Sequence, residues 1–384
     1  MTTTPRRLIL ALVFVTGSFL GFLTLVRNSD ALAQEEQQPS SGPKPNVGET
    51  VVVPKKTQPA PAPPPGEKKP EKINPNEIYT LSTTTDLVNV DVLVTTNDGQ
   101  PIGTLGKKNF KVYDDGVAQA VSNFGISKAP MTIAMVIEFS NKYWEFLYLA
   151  LRDSYEFVNY MQPQDWVAVI DFDMQQHILV DFTHDRNDVR AALDQMRYPE
   201  FSEVNLYDAL AFTLNNMKDI QGRKAILLVA TGCDTFSKLT YSDILKIVKA
   251  TDTVVYPVSI YEFLTVRYGD YVPCGPGMGG FGASLNPAQA RNALQTIAKY
   301  TGGQAYFPRF EGELPGIYQQ IAGQLRTQYS IGFIPTNPSK DGRFHKLKVE
   351  LVDAQGQPLK IQDQKGKNVK YRVVSRDGYY APKS

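Results

Sequence analysis

Histidine and cysteine are the scarcest of the reactive residue types in this 384-residue chain, at three and two copies. His177, His184 and His345 lie in three separate segments, none beside a cysteine and none at a metal-ligand spacing. His184-Asp185 can be read as a base with its orienter, yet it falls in a polar loop after an edge strand and reads as a solvated turn. Cys233 has no neighbouring base, and without one a thiol is a weak nucleophile. Charge of one sign is also lacking: 40 Lys and Arg against 39 Asp and Glu leave a formal charge of +1. That balance offers neither nucleic acid nor an anionic membrane surface an electrostatic footing. The local clusters, Lys107-Lys108 and Lys365 to Lys370, read as solvated strand edges and turns. A Gly-dense stretch, Arg267 to Pro287, has neither a Walker spacing nor a Gly-x-Gly-x-x-Gly opening a helix, so it is no phosphate cradle. A loop of this length inside a compact domain is instead a candidate partner contact. These absences remove the common catalytic constellations, and the chain reads as a non-enzyme.

The long apolar run is at the start. Arg6 and Arg7 precede Leu8 to Val26, and Ala31-Leu32-Ala33 follows at the distance of a signal-peptidase site. Residues 1–33 are expected to be a cleaved signal peptide. The alternative is a retained membrane anchor through residues 8–26, since the run is just long enough to span a bilayer. Residues 34–77 are rich in Pro, Gln, Glu and Lys and poor in bulky apolar residues, a composition that cannot bury enough surface to fold. As an extended Pro-rich linker at about 3.1 Å per residue, they would reach on the order of 100 Å. Either way the folded part is expected outside the cytoplasm: periplasmic, cell-surface or secreted, with membrane contact only through the N-terminal segment. In such a compartment Cys233 and Cys274 invite one disulfide, two free thiols being the alternative.

Two strand-rich segments flank a longer one. In residues 78–129, Val88, Val90, Val92 and Val94 share a face opposite Asn89 and Asp91, the pattern of a half-buried antiparallel strand, and Asn97-Asp98-Gly99 and Asp115-Gly116 mark turns. In residues 329–384, Leu347, Val349 and Leu351 alternate with Lys346, Lys348 and Glu350. Each set is too small to close a core alone. They are therefore expected to form one antiparallel β-sandwich interrupted by residues 130–328, whose ends lie close together. Within those residues strand and helix alternate. Met131 to Ile137 and Ala225 to Val229 are wholly apolar and so central, Trp166 to Phe172 and His177 to Phe182 form an edge hairpin, Val254 to Ile260 is a strand, and Gln304 to Phe307 starts the last one. Helical spacing marks Leu147 to Val158, Val189 to Met196, Tyr207 to Met217, Tyr241 to Ala250, Arg291 to Thr301 and Pro315 to Gln328. The predicted fold class is α/β, a doubly wound, mostly parallel, Rossmann-like sheet inserted in a flanking β-sandwich.

In open sheets of this kind ligands bind beyond the carboxyl ends of the strands. The first central strand ends there in Glu138-x-Ser140-x-Lys142, a later loop reads Val204-Asn205-Leu206-Tyr207-Asp208, and a third reads Thr231-Gly232-Cys233-Asp234. In order and context these three segments, between Pro130 and Gln328, resemble the von Willebrand factor A domain. That family holds a divalent ion between an Asp-x-Ser-x-Ser loop, a threonine ahead of Leu-Tyr-Asp, and a Thr-Asp-Gly loop. Over Ile78 to Pro382 the arrangement, with its closing Gly378, Tyr379 and Tyr380, resembles bacterial von Willebrand-type proteins first noted in Acidobacteria. In the sheet order this resemblance implies, the strand before Cys233 neighbours the strand ending at Ile260, which places Cys274 within reach of Cys233.

Measured against the family pattern, the ion-site positions Glu138, Ser140, Lys142, Val204 and Thr231 are degenerate. Mg²⁺ wants hard oxygens in near-octahedral array. Val204 offers no ligand, Thr231 only a neutral hydroxyl, and Lys142 a positive charge, which is expected to pair with Glu138 in place of the cation. No catalytic residue and no cofactor is expected. The implied function is protein–protein interaction of an adhesion-like kind through the loop rim, independent of metal. The alternatives are a structural scaffold in a cell-envelope assembly and divalent-metal-dependent ligand binding, with Mg²⁺ as the ion.

Overall fold

The computed structural model describes residues 87–126, 129–141, 144–269, 274, 287–337, 340–362 and 365–381. The expected signal segment, the Pro-rich linker, Lys142 and most of the Gly-dense loop lie outside them. Four strands come first: β1 (Val88–Thr96), β2 (Phe110–Asp114), β3 (Val117–Gln119) and β4 (Val121–Ile126). The alternating segment follows with β5 (Met131–Glu138), α1 (Trp144–Asn159), β6 (Trp166–Phe172), β7 (Gln176–Thr183), α2 (Arg186–Gln195), α3 (Leu206–Met217), β8 (Arg223–Ala230), α4 (Tyr241–Ala250), β9 (Val254–Ser259), α5 (Tyr261–Tyr268), α6 (Pro287–Thr301) and α7 (Leu314–Thr327). Six more strands close the described chain: β10 (Tyr329–Phe333), β11 (Phe344–Leu351), β12 (Ile361–Gln362), β13 (Asn368–Val369), β14 (Tyr371–Ser375) and β15 (Gly378–Tyr380).

The alternating segment forms a five-stranded sheet in the order β7-β6-β5-β8-β9. β5 runs parallel to β6 and β8, β8 parallel to β9, and β7 returns antiparallel at the edge. Every residue of β5 and of β8 is buried, as strands covered on both faces must be. Alternation then sorts the side chains by layer. Met131, Ile133, Met135 and Ile137 join a core with Phe157, Leu193 and Tyr318 from α1, α2 and α7, while Ala134 and Val136 join the opposite core with Leu210, Val248 and Ile297 from α3, α4 and α6. Gly302, at φ 79°, ends α6, and a Cβ on Gly303 would stand 2.0 Å from the carbonyl oxygen of Val255, so only glycine lets the chain pass β9 this closely.

Two expectations for this segment change. Gln304 to Phe307 does not form a strand: a single parallel bridge joins Tyr306 to Val258. Tyr306 exchanges bonds with Pro257 and Ser259, and the ladder stops because Pro308 has no amide to donate. Helix α5 stands between the expected strand and the Gly-dense loop, where no helix was expected. It buries residues on opposite sides, Phe263 into one core and Tyr261 and Leu264 into the other, so it shows no single apolar stripe.

The flanking strands make two four-stranded antiparallel sheets, β14-β1-β10-β4 and β15-β11-β2-β3, with a separate β12–β13 pair. Each sheet takes strands from both sides of the alternating segment. Val90, Val92, Val94, Phe110, Val112, Tyr329, Ile331, Phe333, Leu347, Val349 and Leu351, drawn from both, share one apolar cluster. Near its middle the Tyr329 ring lies 4.8 Å from Phe110, and its hydroxyl donates to the Ile102 carbonyl at 2.8 Å. β1 is more deeply covered than the half-buried pattern implies, since Leu93 and Thr95 on its second face are also buried. Around that face Gln324 of α7 donates to Gly99 and Arg376 to the Asn89 carbonyl, and burial pushes the Asp91 carboxyl up against the opposing pull of Arg223 and Arg376.

Removing residues 78–129 would take away β1 to β4 and uncover Ile331, Phe333, Leu347 and Val349. Limited proteolysis of the shortened protein should degrade residues 329–384 quickly while residues 130–328 stay resistant. Unchanged protection of the C-terminal segment would show that it does not depend on the first four strands.

Candidate functional site

The carboxyl ends of β5, β6, β8 and β9 meet at one rim, and Glu138 is its most deeply placed charge, at 1% exposure. Its Oε1 accepts from the Ser140 hydroxyl at 3.0 Å, and its Oε2 accepts from both the amide and the hydroxyl of Thr231 at 2.8 Å. Thr231 is itself fixed: its hydroxyl oxygen accepts from the Cys233 amide at 3.1 Å and its carbonyl accepts from the Ser259 hydroxyl at 3.1 Å. A buried carboxylate needs such donors, because leaving one unpaired costs several kcal/mol in order of magnitude. Three of the expected ion-site residues, Glu138, Ser140 and Thr231, are thus brought together, and they bond to one another. Val204 is placed beside the same rim, but its side chain is buried in the apolar core. Lys142, and with it the expected charge pair, lies outside the described residues. This set does not fit the oxygen-rich octahedron of Mg²⁺: the Thr231 hydroxyl is donated to Glu138, and Val204 has no side-chain oxygen.

The second and third loops are laced together around Val204. Its amide donates to the Thr235 hydroxyl at 2.9 Å, and its carbonyl accepts from the amides of Thr235 and Phe236 at 2.8 and 2.9 Å. Asp208 accepts from the amides of Lys238 and Leu239, while Asp234 accepts from the Tyr207 amide and the Ser237 hydroxyl. Asp234 and Ser237, both in the third loop, thereby serve the first turn of α3, whose own N-cap residue Asn205 makes no side-chain cap. Burial raises the Asp234 carboxyl to about 6 in spite of these donors. The signal for Asp208 and Asp234 is in the sequence, in Leu-Tyr-Asp and in Thr-Gly-Cys-Asp, but their work is to hold the loops together.

Cys233 and Cys274 form a disulfide with Cα atoms 5.2 Å apart and both residues buried. The expected pairing stands. Closing a loop with a sequence separation of 41 residues stabilises the fold by about 4 kcal/mol in the chain-entropy picture.

The histidines are dispersed. His177 lies 2.9 Å from Asp171, whose carboxyl burial pushes up. His184 contacts the Asp165 carbonyl at 2.9 Å and its ring meets Trp166, while Asp185 caps α2 by accepting from the Asn187 amide at 2.7 Å. Asp185 is therefore occupied in a helix cap. His345 is in the β11 sheet, away from the rim loops.

Around the buried cluster the rim carries exposed aromatic rings: Phe201 at 42%, Phe236 at 50% and Tyr241 at 37%. They are not scattered. The Phe201 carbonyl accepts from the Asn141 amide next to Ser140, Phe236 is bonded to Val204, and the Tyr241 ring lies 6.0 Å from that of Tyr207. None of these three is marked by periodicity in the sequence, since exposed rings in loops and at a helix start leave no repeat.

No family model and no curated protein matches the chain. Among solved structures it is similar to the protein BatB from Bacteroides thetaiotaomicron, at 15% identity over 51% of this chain and 98% of that one, with a TM-score of 0.37. It is similar also to proximal thread matrix protein 1 from the mussel byssus with a zinc-occupied MIDAS motif, at 14% identity over 55% and 49%, with a TM-score of 0.38. A third similarity is to a variant of the PilB minor pilin from Streptococcus sanguinis, at 10% identity over 65% and 80%, with a TM-score of 0.40.

Two outcomes follow from the geometry. Glu138→Ala strands the Thr231 amide in the interior and should lower unfolding free energy by about 3 kcal/mol, read by chemical denaturation, since a buried unsatisfied donor and a lost set of bonds add. For Asp234 the folded-state carboxyl titrates at about 6, above its ordinary value of 3.8. Its contribution to stability is therefore full below about pH 4 and is lost as pH rises through 6. Asp234→Asn should match the parent near pH 4 and exceed it in stability above pH 6; an unchanged difference across that range would contradict the assignment.

Proposed function

We propose that the chain is a non-enzymatic, extracytoplasmic protein-binding module that works through the rim at the carboxyl ends of the parallel strands, without a bound divalent ion there. The observation that carries this reading is the set of exposed rings, Phe201 and Phe236 foremost, on loops locked to the buried Glu138 cluster. Aromatic side chains on rigid loops bury large area on contact at small entropic cost, the usual chemistry of a binding hot spot. In this reading the ion of the von Willebrand A pattern is replaced by a hydrogen-bonded carboxylate that fixes the loops directly. The finer architecture we infer is the α/β segment of residues 130–328 inserted in a β-sandwich of residues 78–129 and 329–384, related to the bacterial von Willebrand-type proteins first noted in Acidobacteria. An oxidising compartment is supported by the Cys233–Cys274 bridge. Among the described residues no helix is long and apolar enough to cross a membrane, so an anchor, if retained, belongs to residues 8–26.

A scaffold role is the second reading, favoured by β3 and β4, which end their sheets and expose Val117 and Ile126. Crosslinking on intact cells separates the two. The parent should capture a partner equally with and without added Mg²⁺, and Phe201→Ser with Phe236→Ser should abolish that capture while circular dichroism stays unchanged. Capture that needs Mg²⁺, or that survives both substitutions, would overturn the rim reading, and self-association lost on Ile126→Lys would favour the scaffold.

A further inference from the structure

Far along the chain from the rim loops, β2, β11 and β15 bring together side chains that the sequence scatters. β2 ends at Asp114 and turns through Asp115, which adopts a left-handed φ of 46°. Pairing of Asp114 with Leu347 lays this turn beside His345, and the Lys346 amide donates to Asp115 Oδ1 at 2.8 Å. Across the other edge of β11, His345 is paired with Tyr379. His345 Nδ1 consequently lies 3.3 Å from Asp114 Oδ1 and 3.3 Å from Asp115 Oδ2, and one ligand atom from each of the three residues falls within 4.8 Å of the others. Asp114 and His345 are 6% and 8% exposed, and Asp115 is open to solvent.

Two observations set this cluster apart from an ordinary ion pair. Asp114 Oδ1 is fully buried and makes no hydrogen bond, although its sister oxygen Oδ2 accepts from the Tyr379 hydroxyl at 3.0 Å. A buried acceptor left so is costly, and this one is turned toward the imidazole. The second observation is the spacing. Ligands roughly 2.0–2.1 Å from a tetrahedral zinc ion stand about 3.3–3.4 Å apart, which is the separation found on both edges from Nδ1.

We propose that Asp114, Asp115 and His345 form a binding site for a divalent ion of the zinc class, with Tyr379 as its positioning residue. One imidazole nitrogen with two carboxylates suits zinc better than Mg²⁺ or Ca²⁺, which take oxygen ligands. Three protein ligands leave a fourth corner for water or for a side chain of a bound partner. Tyr379 does the orienting that metal sites require of their outer partners: its hydroxyl holds Asp114 Oδ2 so that Oδ1 points inward, and its ring stacks on His345 with centroids 5.3 Å apart. Asp341 faces the far nitrogen, with Oδ1 3.9 Å from Nε2. The closing Gly378-Tyr379-Tyr380 segment thereby acquires a task. A Cβ on Gly378 would stand 2.1 Å from the His345 carbonyl oxygen, so glycine is what lets Tyr379 close over the histidine.

The test is calorimetric titration of the purified full chain with zinc chloride after chelator treatment and dialysis. One saturable zinc per chain is expected, with a raised melting temperature. Asp115→Asn keeps a residue that tolerates the left-handed turn and should weaken binding about tenfold or more, as should His345→Gln; Tyr379→Phe should weaken it by about tenfold while leaving the stoichiometry at one. Absence of saturable zinc binding by the parent would overturn the proposal. So would zinc binding of parental affinity in Asp115→Asn, an exposed substitution that leaves the fold intact even where His345→Gln does not.

Discussion

The antiparallel pairing of β1 with β10 and β14, and of β2 with β11, joins residues from opposite ends of the described chain. Neither end can bury its apolar face alone. Val90 and Val92 share one apolar cluster with Ile331 and Val349, so both ends contribute to it. This pairing brings the two ends of the α/β segment together, because β4, ahead of β5, and β10, after α7, lie side by side. It also generates the junction chemistry: Arg223 donates to the Leu325 carbonyl and to Gln328, Gln328 donates to the Tyr256 hydroxyl, and Asp91 of β1 lies in the field of both Arg223 and Arg376.

The same physical requirement, that buried polar groups be paired, shapes the rim. A carboxylate at the end of a fully buried strand has two remedies, a cation or a set of donors. Here the donors come from Ser140 two residues on and from Thr231, just past the end of the neighbouring strand β8. Bonds of this kind tie the first loop to the third directly, through one buried carboxylate. Asp208 and Asp234 extend the frame outward by tying the third loop to α3. The rings of Phe201 and Phe236 are carried by that frame, so their exposure is a property of fixed loops.

Much of this was legible from residue order. The wholly apolar runs at Met131 to Ile137 and Ala225 to Val229 announced central strands, because only strands covered on both faces tolerate such runs in a soluble domain. The valine alternation from Val88 to Val94 announced an antiparallel strand, and the even pair of cysteines announced a bridge that the β8–β9 adjacency then allows. Helix α5 was not legible, since its apolar residues divide between two cores and set no single stripe. The strand expected after Gly303 failed on one missing amide, that of Pro308.

The sequence by itself determined most of the strands and helices, that the chain alternates in its middle and is strand-rich at both ends, and that Glu138 closes a central strand beside Ser140. These follow from local periodicity and from the composition of neighbours. Only the tertiary structure decided what Glu138 bonds to, because Thr231 lies 93 positions away and reaches it through the parallel register of β5 and β8. It alone placed Asp114 and Asp115 against His345, since that meeting depends on strand register across the whole inserted segment. Side chains far apart in sequence acquire a joint chemistry only where backbone hydrogen bonds fix their spacing, and no local pattern carries that information.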